Sequence, residues 1–217
     1  MKNTVFFALL LLTIGCQKKD ITEKTTFVKD VHSFSNPNDA VAKHLDLDIA
    51  VDFETQTISG KATWTIENKS KGNEIIFDEN TLNITKVTLG DAEKATKFKL
   101  GDNIEFHGKP LHITIDANTT KVNIYYSTTK DAVALQWLKP EQTADKTKPF
   151  LFTQGESIWS RTWIPCQDSP GIRFTYNAKV TVPKDLMAVM SAVNPQQKNA
   201  AGIYTFKQKR NFVETQF

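Results

Sequence analysis

Gln154, Gly155 and Glu156 are the point where this chain gathers groups suited to recognition chemistry. They follow an apolar run, Phe150-Leu151-Phe152, that is too short for a helix and suits a buried strand. Gly155 tolerates backbone angles closed to other residues, so a strand end can turn there and aim both neighbouring side chains into one cavity. Trp159, Arg161 and Trp163 come shortly after. A lone carboxylate among aromatic rings suits a small cation such as a primary ammonium. On spacing alone, Glu156 reads more simply as a solvated loop carboxylate.

Other reactive side chains are sparse. The four histidines, His32, His44, His107 and His112, form no H-x-x-x-H pair, and there is no Cys-x-x-Cys. The sequence therefore offers no catalytic residue and no metal-ligand set of its own. His107 and His112 flank one hairpin turn and read as facing surface residues. Cys166, between Pro165 and Gln167, reads as a buried structural thiol, because no nearby histidine could generate a thiolate. The net charge of +3 is spread without a basic block, which leaves no nucleic-acid footprint.

Residues 1–16 read as an export signal: Lys2, an apolar core over 5–12, then Gly15-Cys16. That core is too short to span a bilayer as a helix. Cysteine directly after a small residue resembles a bacterial lipoprotein site, with Cys16 lipidated and Thr13 where leucine is more usual. An ordinary secretory peptide or an uncut anchor is the rival. A lipidated Cys16 leaves Cys166 without a disulfide partner. The expected location is the cell envelope, periplasmic or outer-membrane, touching the membrane only through the N-terminal lipid. Residues 17–38 are a polar tether and lead-in segment.

The rest must position the 154–156 turn, and it reads as strands. Leu45, Leu47, Ile49, Val51 and Phe53 alternate with His44, Asp46, Asp48 and Asp52. Residues 58–68 form its hairpin partner. Further strands are expected over 74–78, 82–89 with a bulge between Ile84 and Val87, 97–100, 104–107, 111–115, 121–127, 172–182, 186–192 and 203–209. Residues 128–147 are expected as a loop, in which Trp137 either lines a pocket or plugs the core. Frequent short strands and no long amphipathic helix predict an all-β, antiparallel sandwich or saddle-like sheet domain.

Several long stretches carry a resemblance. KHLDLDIAVDF at 43–53, ALQWLKPEQT at 134–143, TQGE at 153–156, and PCQDSP leading into TVPKDLMAVMSA at 165–192 resemble the N-terminal domain of the gluzincin zinc aminopeptidases, the leukotriene A-4 hydrolase and aminopeptidase N family. The likeness covers about residues 32–209. It implies a domain over 39–209 that forms the floor of a substrate cavity, with zinc held by a catalytic domain absent from this sequence. It also implies that Gln154, Gly155 and Glu156 contact the first residue of a peptide with a free N-terminus. Glutamate at 156 matches aminopeptidase N, whereas leukotriene A-4 hydrolase has glutamine, so peptide trimming is expected rather than lipid epoxide chemistry. Residues 210–217 do not resemble the family's continuation, which reads as a truncation, a frameshift or a stand-alone domain. The expected function is the substrate-contacting domain of an exported metallo-aminopeptidase, inactive alone. The alternative is a non-catalytic β-domain that binds peptide or protein.

Overall fold

The computed structural model describes residues 26–213. Its strands are β1 (Ala40–Asp52), β2 (Thr57–Asn68), β3 (Glu74–Glu79), β4 (Asn83–Leu89), β5 (Lys94–Ala95), β6 (Phe98–Leu100), β7 (Lys109–Thr114), β8 (Lys121–Ser127), β9 (Leu135–Leu138), β10 (Phe150–Thr153), β11 (Arg173–Thr181) and β12 (Ile203–Val213). Period-two patterning explains most of them. Leu45, Leu47 and Ile49 of β1 are buried while Asp48 faces water. Ile58, Ala62, Trp64 and Ile66 do the same on β2, and Phe174, Tyr176, Ala178 and Val180 on β11.

These strands build three sheets. A seven-stranded sheet runs β12-β11-β1-β2-β8-β4-β5; a three-stranded one runs β3-β7-β6; β9 and β10 form a ribbon. The large sheet is mixed, because β1 and β11 pair in parallel from His44↔Thr175 to Ala50↔Thr181. The other pairings are antiparallel. The bulge expected in β4 is present as a register shift between Ile84 and Lys86. A second shift, between Ala42 and His44, is bridged by Gln167. Its side chain accepts from the Ala42 N–H (2.9 Å) and donates to the Ala40 carbonyl (3.0 Å).

The core lies between the two larger sheets. Trp64 is its centre, edge-on to Phe174 of the same sheet at 4.9 Å and 5.9 Å from Phe77 of the facing sheet. Its indole N–H donates to the Pro165 carbonyl at 2.9 Å, which satisfies the ring's one polar atom inside the core.

Four local expectations fail. Residues 186–192, expected as a strand, find no ladder partner and run irregularly. Residues 104–107 turn too tightly for a strand and leave one isolated bridge, Ile104↔Gly108. The final strand continues past Lys209 to Val213 because β11 is long enough to pair with it. Residues 128–147 are not all loop, since β9 pairs with β10.

Candidate functional site

The 154–156 turn begins where β10 ends. The Gln154 N–H donates to the Ala134 carbonyl (2.8 Å), extending the ribbon by one rung. The Gln154 side chain then folds forward, and its Oε1 accepts the Glu156 N–H at 2.9 Å. Behind the turn, the Gly155 carbonyl accepts the Trp159 N–H at 2.8 Å. The Glu156–Ser157 peptide is cis. Gln154 and Glu156 are exposed while Gly155 is buried. Among the described residues, no basic group lies within 4.0 Å of the Glu156 carboxylate.

Three details of the expected site change. Gly155 is not among the glycines with a left-handed backbone, which are Gly60, Gly90, Gly108 and Gly202. Phe150 and Phe152 are 51% and 43% exposed, so the run leading to the turn is a surface ribbon rather than a buried strand. Arg161 and Trp163 are buried, so of these three residues only Trp159, half-buried, keeps access to solvent. Trp137 plugs the core edge-on against Phe53, at 5.2 Å. Cys16 lies outside the described residues.

A few residues past the turn lies a buried ionic cluster that spacing did not suggest. Arg161, on the short 3-10 turn Ser160–Thr162, is 0% exposed. Its Nε donates to Asp168 Oδ2 (3.0 Å), Nη1 to the His107 carbonyl (3.0 Å), and Nη2 to the His32 carbonyl (2.8 Å). Asp78 Oδ2 lies 3.8 Å from Nη2. The Asp78 carboxylate accepts from the Ser33 hydroxyl (2.6 Å) and from the N–H groups of Phe34 (2.7 Å) and Asp168 (2.8 Å). Burial pushes the Asp78 carboxyl up, and the attraction of Arg161 does not cancel that push. Burial pulls the Arg161 guanidinium down, but Asp78 and Asp168 outweigh it and the net shift is upward. The cluster ties the lead-in segment at His32–Phe34, the 107 turn and the 160–168 stretch to one cation. Nothing in the run SRT announced this, because the three acceptor segments are distant in sequence.

Two concavities elsewhere stand out among the described residues. One is a shallow basin of about 1300 Å³ on the outer face of the large sheet, bordered by Asp46, Asp48, Lys61, Lys179 and residues 190–194. The other is an apolar groove of about 650 Å³ between the inner sheet face, β10 and residues 186–191. Neither is lined by Gln154 or Glu156. The turn is an open shelf.

The chain matches the Peptidase M1 N-terminal domain over residues 41–213. It belongs to the peptidase M1 family. It is 38% identical over 190 residues to leukotriene A-4 hydrolase of Xenopus laevis, a match that covers 82% of this chain and 31% of that protein. Leucine aminopeptidase 2 of Sclerotinia sclerotiorum is 33% identical over 167 residues, with 74% and 27% covered. Among solved structures, yeast LTA4 hydrolase in complex with bestatin superposes with a TM-score of 0.78 at 29% identity, covering 88% of this chain and 30% of that one. The M1 zinc metallopeptidase of Deinococcus radiodurans shares the fold, with a TM-score of 0.63 at 18% identity over 85% and 42% of the two chains. The chain thus spans about a third of the length of these M1 relatives.

Zinc is the metal this family implies, and the described residues do not fit it. A zinc site needs three or four nitrogen, sulfur or oxygen donors. Each histidine has company for less than that. His44 Nε2 meets Asp46 (3.4 Å), and His112 Nδ1 meets Glu74 (3.2 Å). The His32 and His107 rings lie 5.8 Å apart. No group of three or more His, Cys, Asp or Glu placed to hold a metal occurs among the described residues.

Proposed function

We propose that this chain is the substrate-contacting domain of an exported zinc metallo-aminopeptidase that removes N-terminal residues from peptides. The observation that carries the reading is the Glu156 carboxylate, solvent-facing, without a cation of its own, on a turn fixed by Gln154. A peptide's α-ammonium supplies the missing charge through charge-assisted hydrogen bonds. An N-acylated peptide has no such charge and is refused. Holding the terminus fixes the distance to the first peptide bond, which is the geometric basis of exopeptidase action. A full charge at 156 grips an ammonium more strongly than an amide would, favouring peptides over neutral lipid epoxides.

Magnitude decides how much this domain achieves unaided. Exposed ion pairs contribute only about 0.2–1 kcal/mol, far below the roughly 4 kcal/mol of millimolar binding, so the shelf alone holds a peptide only very weakly. A covering domain that excludes water strengthens the same contact. The described residues supply no zinc donor set, so hydrolysis is assigned to the part of an M1 chain not present in this sequence. Alone, the chain is expected to cleave no aminoacyl-anilide.

The test is NMR titration of the chain with a free-amine tripeptide and its N-acetyl form. The free amine is expected to shift the amides of Gln154, Glu156 and Trp159, and the acetylated peptide to leave them unmoved. Glu156→Ala should abolish the response. Equal shifts with both peptides would remove Glu156 from the site. Envelope location rests on Cys16, and loss of palmitate labelling in Cys16→Ser tests it. A β-domain that binds peptide or protein without catalysis is the second reading, and the open apolar groove favours it.

A further inference from the structure

Large apolar side chains stand in water where the lead-in segment meets the turn between β6 and β7. Val28, Val31, Ile104 and Phe106 are between 49% and 91% exposed and lie outside the core cluster. The two segments are held side by side. The His32 and His107 rings lie 5.8 Å apart, and Arg161 donates to both main-chain carbonyls, at 2.8 and 3.0 Å. Val31 and Phe106 each directly precede one of those histidines, so they come out at the same end of the domain.

Phe106 is the informative member. Its φ is 65°, in the left-handed region. A bulky side chain is an outlier there, whereas asparagine or glycine sits with less strain. The turn itself is well fixed, since the Ile104 carbonyl accepts the N–H groups of His107 (3.0 Å) and Gly108 (2.9 Å). The Phe106 ring is 69% exposed, so burial within this chain offsets little of that strain. A strained, exposed aromatic residue on a fixed tip suits an apolar partner outside the domain.

We propose that this end rests on a phospholipid bilayer, with Val31, Ile104 and Phe106 dipping into the boundary between headgroups and acyl chains. The contact adds to the N-terminal lipid, the one membrane contact expected from the sequence, and it rests on the envelope reading of Cys16. Two observations select a bilayer. Phe27 lies eleven residues after Cys16, and its N–H and carbonyl are fixed by the Asn38 side chain at 2.9 Å each. That length spans at most about 40 Å when fully extended, so an anchor at Cys16 keeps this end of the domain within reach of the surface. Tethering makes the second contact intramolecular, and a contact too weak for the free chain then forms. The neighbouring charges are balanced, Lys29, Lys99 and Lys109 against Asp30, Asp102 and Glu105. Such a rim offers no net charge to an acidic or basic protein, which leaves apolar insertion as the driving force.

The test uses the chain from Gln17, which keeps every contact described above, with a hexahistidine tag where the lipid would sit. It is held on phosphatidylcholine vesicles bearing a nickel-chelating lipid. The measurement therefore runs whether or not Cys16 is lipidated, and palmitate labelling decides that reading separately. An environment-sensitive fluorophore is attached at Val31→Cys; Cys166 is buried and stays unlabelled. Its emission is expected to rise about threefold on the vesicles, as for a probe entering the interface, and about 1 M salt should change that rise less than twofold. The same label at Val193→Cys, beside the outer basin, should change little. Phe106→Asn should cut the rise at 31 by about half or more, with Tm unchanged or higher because asparagine tolerates the left-handed backbone. The proposal is overturned by no rise at 31, by an equal rise at 193, or by a Tm loss above about 2 °C in Phe106→Asn, which would make the ring structural. It is also overturned by the same rise without vesicles at high protein concentration, which would make a second copy the cover.

Discussion

Replacing Arg161 by methionine tests the account of the buried ionic cluster that ties the segments near residues 32, 78, 107 and 168 together. The guanidinium is fully buried and binds Asp168, the His32 and His107 carbonyls and, at 3.8 Å, Asp78. Methionine fills similar space but leaves two buried carboxylates facing each other without a cation. Removing one partner of a buried ionic cluster costs about 3–5 kcal/mol, mostly the burial of uncompensated charge. For a domain of this size that lowers Tm by about 10 °C or more. Thermal unfolding followed by circular dichroism gives the number. The pH dependence supplies the sign. Asp78 already has a folded pKa above its ordinary value, so its neutral form is favoured in the fold, and losing Arg161 raises it further. The deficit in Arg161→Met is therefore largest at neutral pH and shrinks as the pH falls and Asp78 takes up its proton. Asp78→Asn on the same background should recover part of the loss at neutral pH. A Tm change under about 2 °C, or a deficit that grows on acidification, would refute the reasoning.

Trp64→Phe should cost about 1–3 kcal/mol in urea unfolding, because it deletes the indole N–H and leaves the Pro165 carbonyl unpaired inside the core. Gly60→Ala should destabilise by about 1–3 kcal/mol or more, since an added Cβ would lie 2.0 Å from the Asp48 carbonyl oxygen on β1; a Tm equal to the parent's would contradict the close approach. Asp145 has its carboxyl held down to about 2 by the Thr147 backbone N–H and its hydroxyl. Its contribution is present above the unfolded value of about 3.8 and is lost as the pH falls towards 2, so a carbon-detected NMR titration should place its midpoint well below those of solvated aspartates. Limited proteolysis should cut Arg161→Met near Lys29 faster than the parent, because the His32 carbonyl loses its donor.

Strands were legible where one face is dry and the other wet. Leu45, Leu47 and Ile49 against Asp46 and Asp48 leave little choice of period, and the parity slip in β4 gave its bulge directly. What stayed hidden depends on distant neighbours. No local pattern tells that β1 lies parallel to β11, or that Arg161 draws together segments near residues 32, 78, 107 and 168. The same limit explains the strand expected at 186–192. A short apolar run suits a strand, whereas a strand also needs an edge to pair with. Phe150 and Phe152 misled for a related reason, as apolar identity was read as burial. At the candidate turn, the residue types were legible and the hydrogen bond from the Glu156 N–H to Gln154 was not.

The parallel pairing of β1 with β11 has a consequence for biosynthesis. The strand β1 occupies a middle lane of the large sheet, and its neighbour on one side, β11, follows only after eight other strands beyond β2 have been made. Until residues 173–181 emerge, β1 keeps one flank open, and no register in this half of the sheet can lock. Closure that late leaves the intervening polypeptide loose until β11 has been made, a state that folding factors must guard against premature clumping.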